Sequence, residues 1–286
     1  MLLINYLSTG STKLIMNATW QALSREAATA SEHLAIGVTA LGKANYAQPA
    51  YYGQAFFALT IGIERSAKLA LIIDHFLTQE KFPPISEIRK HGHNIRELLE
   101  RIDEIASRYN PSERLPRLVI HDQIIAILSD FATNITRYYN FDLITSKSGS
   151  VSQSDPNSAW FQHVMLPMIK EHSLNRQMEK RGYNALIIDE LINGKALVSY
   201  HSEIGENITS VYEASMKKAI ADITIPYVRL HVMQIVRFIG RLLSALGYSA
   251  QETGSEVIPY MADFFRIYNN DDKYFKTRKT WSIYRL

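Results

Sequence analysis

The stretch AYYGQAFFALTIGIERSAKLALIIDHFL, residues 50–77, decides how the chain is read. Its apolar residues Phe56, Phe57, Leu59, Ile63, Ala67, Ala70, Leu71 and Ile72 recur at three- and four-residue steps, the period of a helix with a buried stripe. Gln48-Pro49 opens it, with proline suited to a first helical turn, and Phe82-Pro83-Pro84 stops it. Upstream, Ser11 to Lys43 repeats the pattern through Leu14, Ile15, Ala18, Ala22, Leu23, Leu34, Val38 and Leu41. Downstream, a third helix is expected from His93 or Asn94, an acceptable N-cap, with Ile95, Leu98, Leu99, Ile102 and Ile105 as its stripe. Asn110-Pro111 to Pro116 reads as a turn. A fourth helix follows from Arg117 to Tyr139, marked by Ile120, Ile124, Ile127, Leu128, Phe131 and Ile135. Four helices joined by short connections predict an up-down bundle over residues 1–145.

The clearest break in composition is SKSGSVSQSDPNS, residues 146–158, expected as a linker or loop. Beyond it, residues 159–286 show helical patterns at 159–181, 185–192, 197–223, 225–246 and 258–268. Asn193-Gly194 and Gly247 read as stops. Strand signals are weak, and Pro226 closes the short run Ile223-Thr224-Ile225. The second region is expected either as another bundle or as helices packed on the first. The fold class expected is all-α.

The chain has 286 residues, 47% hydrophobic and 21% charged, with 13 glycines, 9 prolines and no cysteine. That excludes disorder, disulfide scaffolds and thiolate metal sites. Absent cysteine fits a reducing compartment. Met1 to Leu7 has no basic start or cleavage site, and no uncharged run reaches the roughly 18 residues a membrane span needs. A soluble cytoplasmic protein with no membrane partner is expected. Net charge is +3, from 31 basic against 28 acidic residues, too balanced to argue for nucleic acid. The last 14 residues differ, with Lys273, Lys276, Arg278, Lys279 and Arg285 set among Tyr274, Phe275, Trp281 and Tyr284. Cations for phosphates and rings for bases suit a nucleic-acid contact. The alternative, favoured here, is that Trp281 and Tyr284 dock on the helices while the lysines stay solvated.

Three segments in succession carry a resemblance. ALTIGIERSAKLAL (residues 58–71) places Glu64 four residues before Lys68. GHNIRELL (92–99) sets His93 at a helix start. TRYYNFD (136–142) ends the fourth helix with Arg137, Tyr138 and Asp142. In order and spacing they resemble the HEPN family, helical proteins named for nucleotide binding in prokaryotes and higher eukaryotes, over roughly residues 15–145. Tyr139 stands where the family's ending has proline. The resemblance implies a nucleotide- or RNA-binding bundle, a homodimer, and a setting in prokaryotic defence or a toxin–antitoxin pair with a cognate regulatory protein. It marks Glu64, Lys68, His93, Arg137, Tyr138 and Asp142 as ligand-binding. Taken alone, Glu64 and Lys68 form an ordinary i, i+4 ion pair, His93 orients a turn, and Arg137, Tyr138 and Asp142 finish a helix. Arg and Tyr beside a cleft equally suit a phosphate and a base.

Catalytic HEPN proteins are metal-independent ribonucleases using an Arg and a nearby His. Arg114 and His121 form such a pair, with His121 as general acid/base and Arg114 stabilising phosphorane charge. Two departures count against it: Pro116 places Arg114 before the helix, and Leu115 stands where the family prefers a polar residue. The ribonuclease is therefore the alternative reading, and a non-catalytic interaction scaffold the second. No cofactor is expected. No Glu has a His three residues on, His91-x-His93 lacks a third ligand, phosphate-loop and nucleophile-elbow motifs are absent, and no metal site is expected.

Overall fold

The computed structural model describes residues 17–147, 150–192 and 195–282. The expectations placed on Met1 to Leu7, Leu14, Ile15, Asn193-Gly194, Tyr284 and Arg285 lie outside the described residues. The protein is all-α, with one two-stranded antiparallel pair among the described residues.

The first helix, α1 (Ala18–Leu41), starts where the Asn17 side chain accepts from the Thr19 amide. The decisive stretch forms α2 (Ala50–Gln79). The two pack antiparallel through reciprocal glycine contacts. A Cβ on Gly37 would lie 2.6 Å from Leu59 Cγ, and one on Gly62 would lie 2.8 Å from Leu34 Cγ. A short α3 (Ile85–Lys90) follows the prolines. Asn94 then caps α4 (Ile95–Tyr109) by accepting from the Arg96 and Glu97 amides, as its residue type predicts.

The fourth long helix, α5 (Val119–Ala132), stops well short of the Tyr139 end expected for it. Asn134 adopts φ +66° and bends the chain, so Arg137 and Tyr138 sit in a turn ahead of a separate α6 (Tyr139–Thr145). Asparagine is among the few side chains that tolerate this left-handed backbone.

In the serine-rich stretch the described residues 150–155 are loop, and the Asp155 carboxylate then caps α7 (Pro156–Trp160). Pro167 then removes an amide donor from the run, and the preceding turn widens to a π-helix at Phe161–Met165 before α8 (Leu166–Glu171). The expected helix over 159–181 is thus broken. Ser173, at φ +53°, separates α8 from α9 (Asn175–Ile192). A small hairpin, β1 (Tyr200–His201) and β2 (Asn207–Ile208), pairs Tyr200 with Ile208.

The two helices expected on either side of Pro226 are one, α10 (Val211–Glu252), started by a Ser210/Glu213 capping box. Pro226 lies on a partly exposed side, and the carbonyl it orphans belongs to exposed Asp222, where water can satisfy it. Gly247, expected as a stop, lies inside α10 because Met261 packs against it. The chain finishes with α11 (Met261–Phe265), a 3-10 turn and α12 (Asp272–Thr277).

Leu34, Phe56, Leu98, Ile124, Trp160, Met233, Leu243 and Trp281 belong to one continuous core. The C-terminal region therefore packs as further helices on the first bundle, with α10 lying against α1, α2, α4 and α5. By length and composition α10 could cross a membrane, but 72% of its most apolar window is buried inside the protein.

Candidate functional site

The segments that carry the resemblance converge on one face of α2. Glu64 accepts from Lys68 Nζ at 2.8 Å, and His93 Nδ1 lies 3.0 Å from each of its carboxylate oxygens. Burial pushes the Glu64 carboxyl up, but the hydrogen bonds and charges of Lys68 and His93 outweigh it and hold the group below the usual carboxylate range. Seven residues earlier on the same face, Phe57 receives Arg137. The guanidinium carbon lies 4.7 Å from the Phe57 ring centre and 5.2 Å from that of Phe131. Arg137 Nη2 reaches only the Ala132 carbonyl, at 3.4 Å, and its Nε is withdrawn from solvent with no partner. The Arg96 amide donates to Ser129 Oγ at 3.0 Å and ties the start of α4 to α5 between them.

From Phe57 to Lys68 this strip is about 16 Å long at 1.5 Å per residue. It carries cations at both ends and a carboxylate between. Tyr138 and Phe141 lie exposed beside it in sequence, and Asp142 is exposed on α6. Of the six residues the resemblance marked, Glu64, Lys68 and His93 share one network. Arg137 joins them only through α2, and Tyr138 and Asp142 lie beyond it.

Arg114 and His121 hold other positions. Arg114 makes a two-pronged pair with Asp103, Nε to Oδ1 and Nη2 to Oδ2, each at 2.9 Å. Burial raises the Asp103 carboxyl, but bonds from Arg114, the Leu115 amide and Arg117 reverse that and lower it. His121 is 1% exposed. Its Nδ1 accepts from the Leu118 amide at 3.2 Å and its Nε2 lies 2.8 Å from Gln234 Oε1. No recorded bond or shared partner links the two side chains. A histidine with both nitrogens engaged in the core presents no base to a substrate hydroxyl.

The C-terminal segment is docked. Trp281 is 4% exposed, its amide donates to Thr39 Oγ1 at 2.9 Å, and its ring packs among Tyr268, Tyr274 and Phe275. Arg278 lies over the Trp281 ring and bonds the Tyr274 hydroxyl. Trp281 therefore has no face for a base, which corrects its place in a nucleic-acid tail. Lys276 sits over Tyr227, while Lys273 and Lys279 are solvated.

A cluster that the spacing of residues did not reveal lies where α8 and α5 meet α10. His172 Nε2 and His231 Nε2 are 3.4 Å apart, His231 Nδ1 is 3.1 Å from Gln234 Oε1, and the same oxygen takes His121. Glu171 joins His172 and His231 as a third group with metal-ligand atoms within 4.8 Å. The expectation of no His/Glu cluster came from local spacings, and this one closes across 59 residues. No family model, curated protein or solved structure matches the chain.

Proposed function

We propose that the chain is an HEPN-like nucleotide- or RNA-binding protein, in a setting such as prokaryotic defence or a toxin–antitoxin pair. One observation carries this reading: the Phe57–Lys68 face of α2 collects His93 at one end and Arg137 at the other. Arg137 has an unsatisfied buried Nε on a ring platform, which fits a phosphate beside a stacked base. The Glu64 carboxylate is held ionised and can accept from sugar hydroxyls. Arg114 and His121 lend no support to cleavage, so binding is the function assigned.

The test is titration of the full chain with ATP, without divalent ions, and with a short single-stranded RNA, followed by fluorescence anisotropy. Saturable binding that weakens at least about tenfold in Arg137→Gln and Lys68→Gln is expected, the loss of one charge-assisted bond. Absence of binding to either ligand, or equal binding by both variants, overturns the reading.

A homodimer accompanies the reading, and α9 supports it. Opposite Ala185, its buried anchor, α9 shows Tyr183, Ile187 and the 75%-exposed Leu191. Lys180 and Glu190 flank this seam at its two ends. An antiparallel pair centred between Tyr183 and Ile187 sets each Lys180 against the other copy's Glu190, a self-complementary contact of the two-fold kind. Light scattering is expected to give a dimer that Ile187→Glu converts to monomer. A monomeric wild-type protein at tens of micromolar overturns this assignment.

A further inference from the structure

Buried histidines usually bond to backbone or amide groups. Here two imidazoles from different helices aim the same type of nitrogen at one another, and the neighbours fix why. His121 Nδ1 accepts the Leu118 amide, so its Nε2 carries the proton and donates to Gln234 Oε1. Gln234 Nε2 donates to Asp272 Oδ2 at 3.1 Å, confirming which end of the amide faces the histidines. The same Oε1 therefore accepts from His231 Nδ1–H, and the His231 Nε2 lone pair is left pointing at His172. A carbonyl-type oxygen that receives the far N–H of an imidazole is the support a metal-ligating histidine ordinarily has. His172 is oriented in turn by stacking on Tyr227, with ring centres 4.0 Å apart and planes 22° apart.

We propose that Glu171, His172 and His231 form a binding site for a divalent first-row cation of the Zn²⁺ type, joining α8 to α10. Two nitrogens at about 2.0–2.1 Å from a tetrahedral ion lie about 3.3–3.4 Å apart, and the two Nε2 atoms are 3.4 Å apart. Two imidazoles and one carboxylate favour zinc-like ions over Mg²⁺ or Ca²⁺, which prefer oxygen. Glu171 is exposed and provides the way in, while His231 is buried and fixed. Without a cation, His172 Nε2–H donates to His231. Binding moves that proton to His172 Nδ1, so the ring stays neutral and both Nε2 lone pairs face the ion. Three protein ligands leave at least one coordination position for water or a ligand atom.

The site is tested on the untagged, chelator-treated 286-residue chain, titrated with Zn²⁺ by calorimetry and with Co²⁺ by visible absorption. One equivalent per chain is expected, with the d–d bands of a four- or five-coordinate cobalt ion and a melting temperature that climbs with zinc. Mg²⁺ is expected to give none of these. His172→Gln and Glu171→Gln alter residues at the surface, and each is expected to lower zinc affinity at least about tenfold. His231→Gln is the third variant, and the first two decide the matter should it fail to fold. No stoichiometric binding, or unchanged affinity in both surface variants, overturns the proposal.

Discussion

Glu203 is the residue most at odds with its surroundings. It accepts from the Tyr52 hydroxyl at 3.1 Å through Oε1, while Oε2 is withdrawn from water with no partner. Burial pushes its carboxyl above the ordinary range, and its own backbone amide, the bond from Tyr52, the charge of Lys217 and the Tyr46 amide recover only part of that. Folding thus takes up a proton between the ordinary carboxylate range and the raised value. The favourable contribution is complete below that window and is lost as pH rises through it. Glu203→Gln keeps an acceptor for Tyr52 without a charge, and is expected to stabilise by about 1 kcal/mol at neutral pH. Urea unfolding from pH 4 to 8 should show the gain shrinking to nothing at the acid end. An equal shift at every pH would deny Glu203 its charge. At this scale the sequence was readable wherever a role depends on close neighbours: Asn94 as a cap and Glu64 with Lys68 are examples. His231 was not, because its partners His172 and His121 come from just past the end of α8 and from α5, and nothing local marks it.

Among elements, legibility followed the helical period. The buried face of α4 was evident from spacing alone, whereas on α2 the stripe took in Phe57, which is exposed, and passed over Leu69 and Ile73, which are buried. Ile135 continued the period of α5 past its end, since the stop comes from the backbone of Asn134 and not from hydrophobicity. Pro226 misled in the opposite direction, because the carbonyl it orphans belongs to exposed Asp222. The α1–α2 crossing was invisible, as glycine in a helix reads as weakness when it serves close approach. Gly62→Ala would set a Cβ 2.8 Å from Leu34 Cγ and 2.9 Å from the Leu34 amide nitrogen. Overpacking against backbone is expected to cost about 1–3 kcal/mol. Gly53→Ala, on the same helix with nothing within 4 Å of the new methyl, is expected to gain about 0.5–1 kcal/mol. Thermal melts of the two variants should move in opposite directions. A shared direction would mean that helix propensity, not the crossing, dominates at both positions.

Across the whole molecule, the serine-rich break at 146–158 pointed to two regions, yet Trp160, Met233 and Trp281 share one core with Phe56 and Leu98. Composition reports how a segment meets water, and it carries no information on which distant faces cover each other. With one continuous core among the described residues, one calorimetric transition is expected, its van't Hoff and calorimetric enthalpies agreeing. Two resolved transitions would show that the halves unfold independently. Within that single event α10 keeps two clocks. Its residues 211–218 bury no side chain, whereas Val228 to Ala250 form much of the core. Pro226 supplies no amide between these stretches. Deuterium should enter the leading turns through fraying that ends near the proline, and the amides beyond it should exchange only when the entire molecule opens.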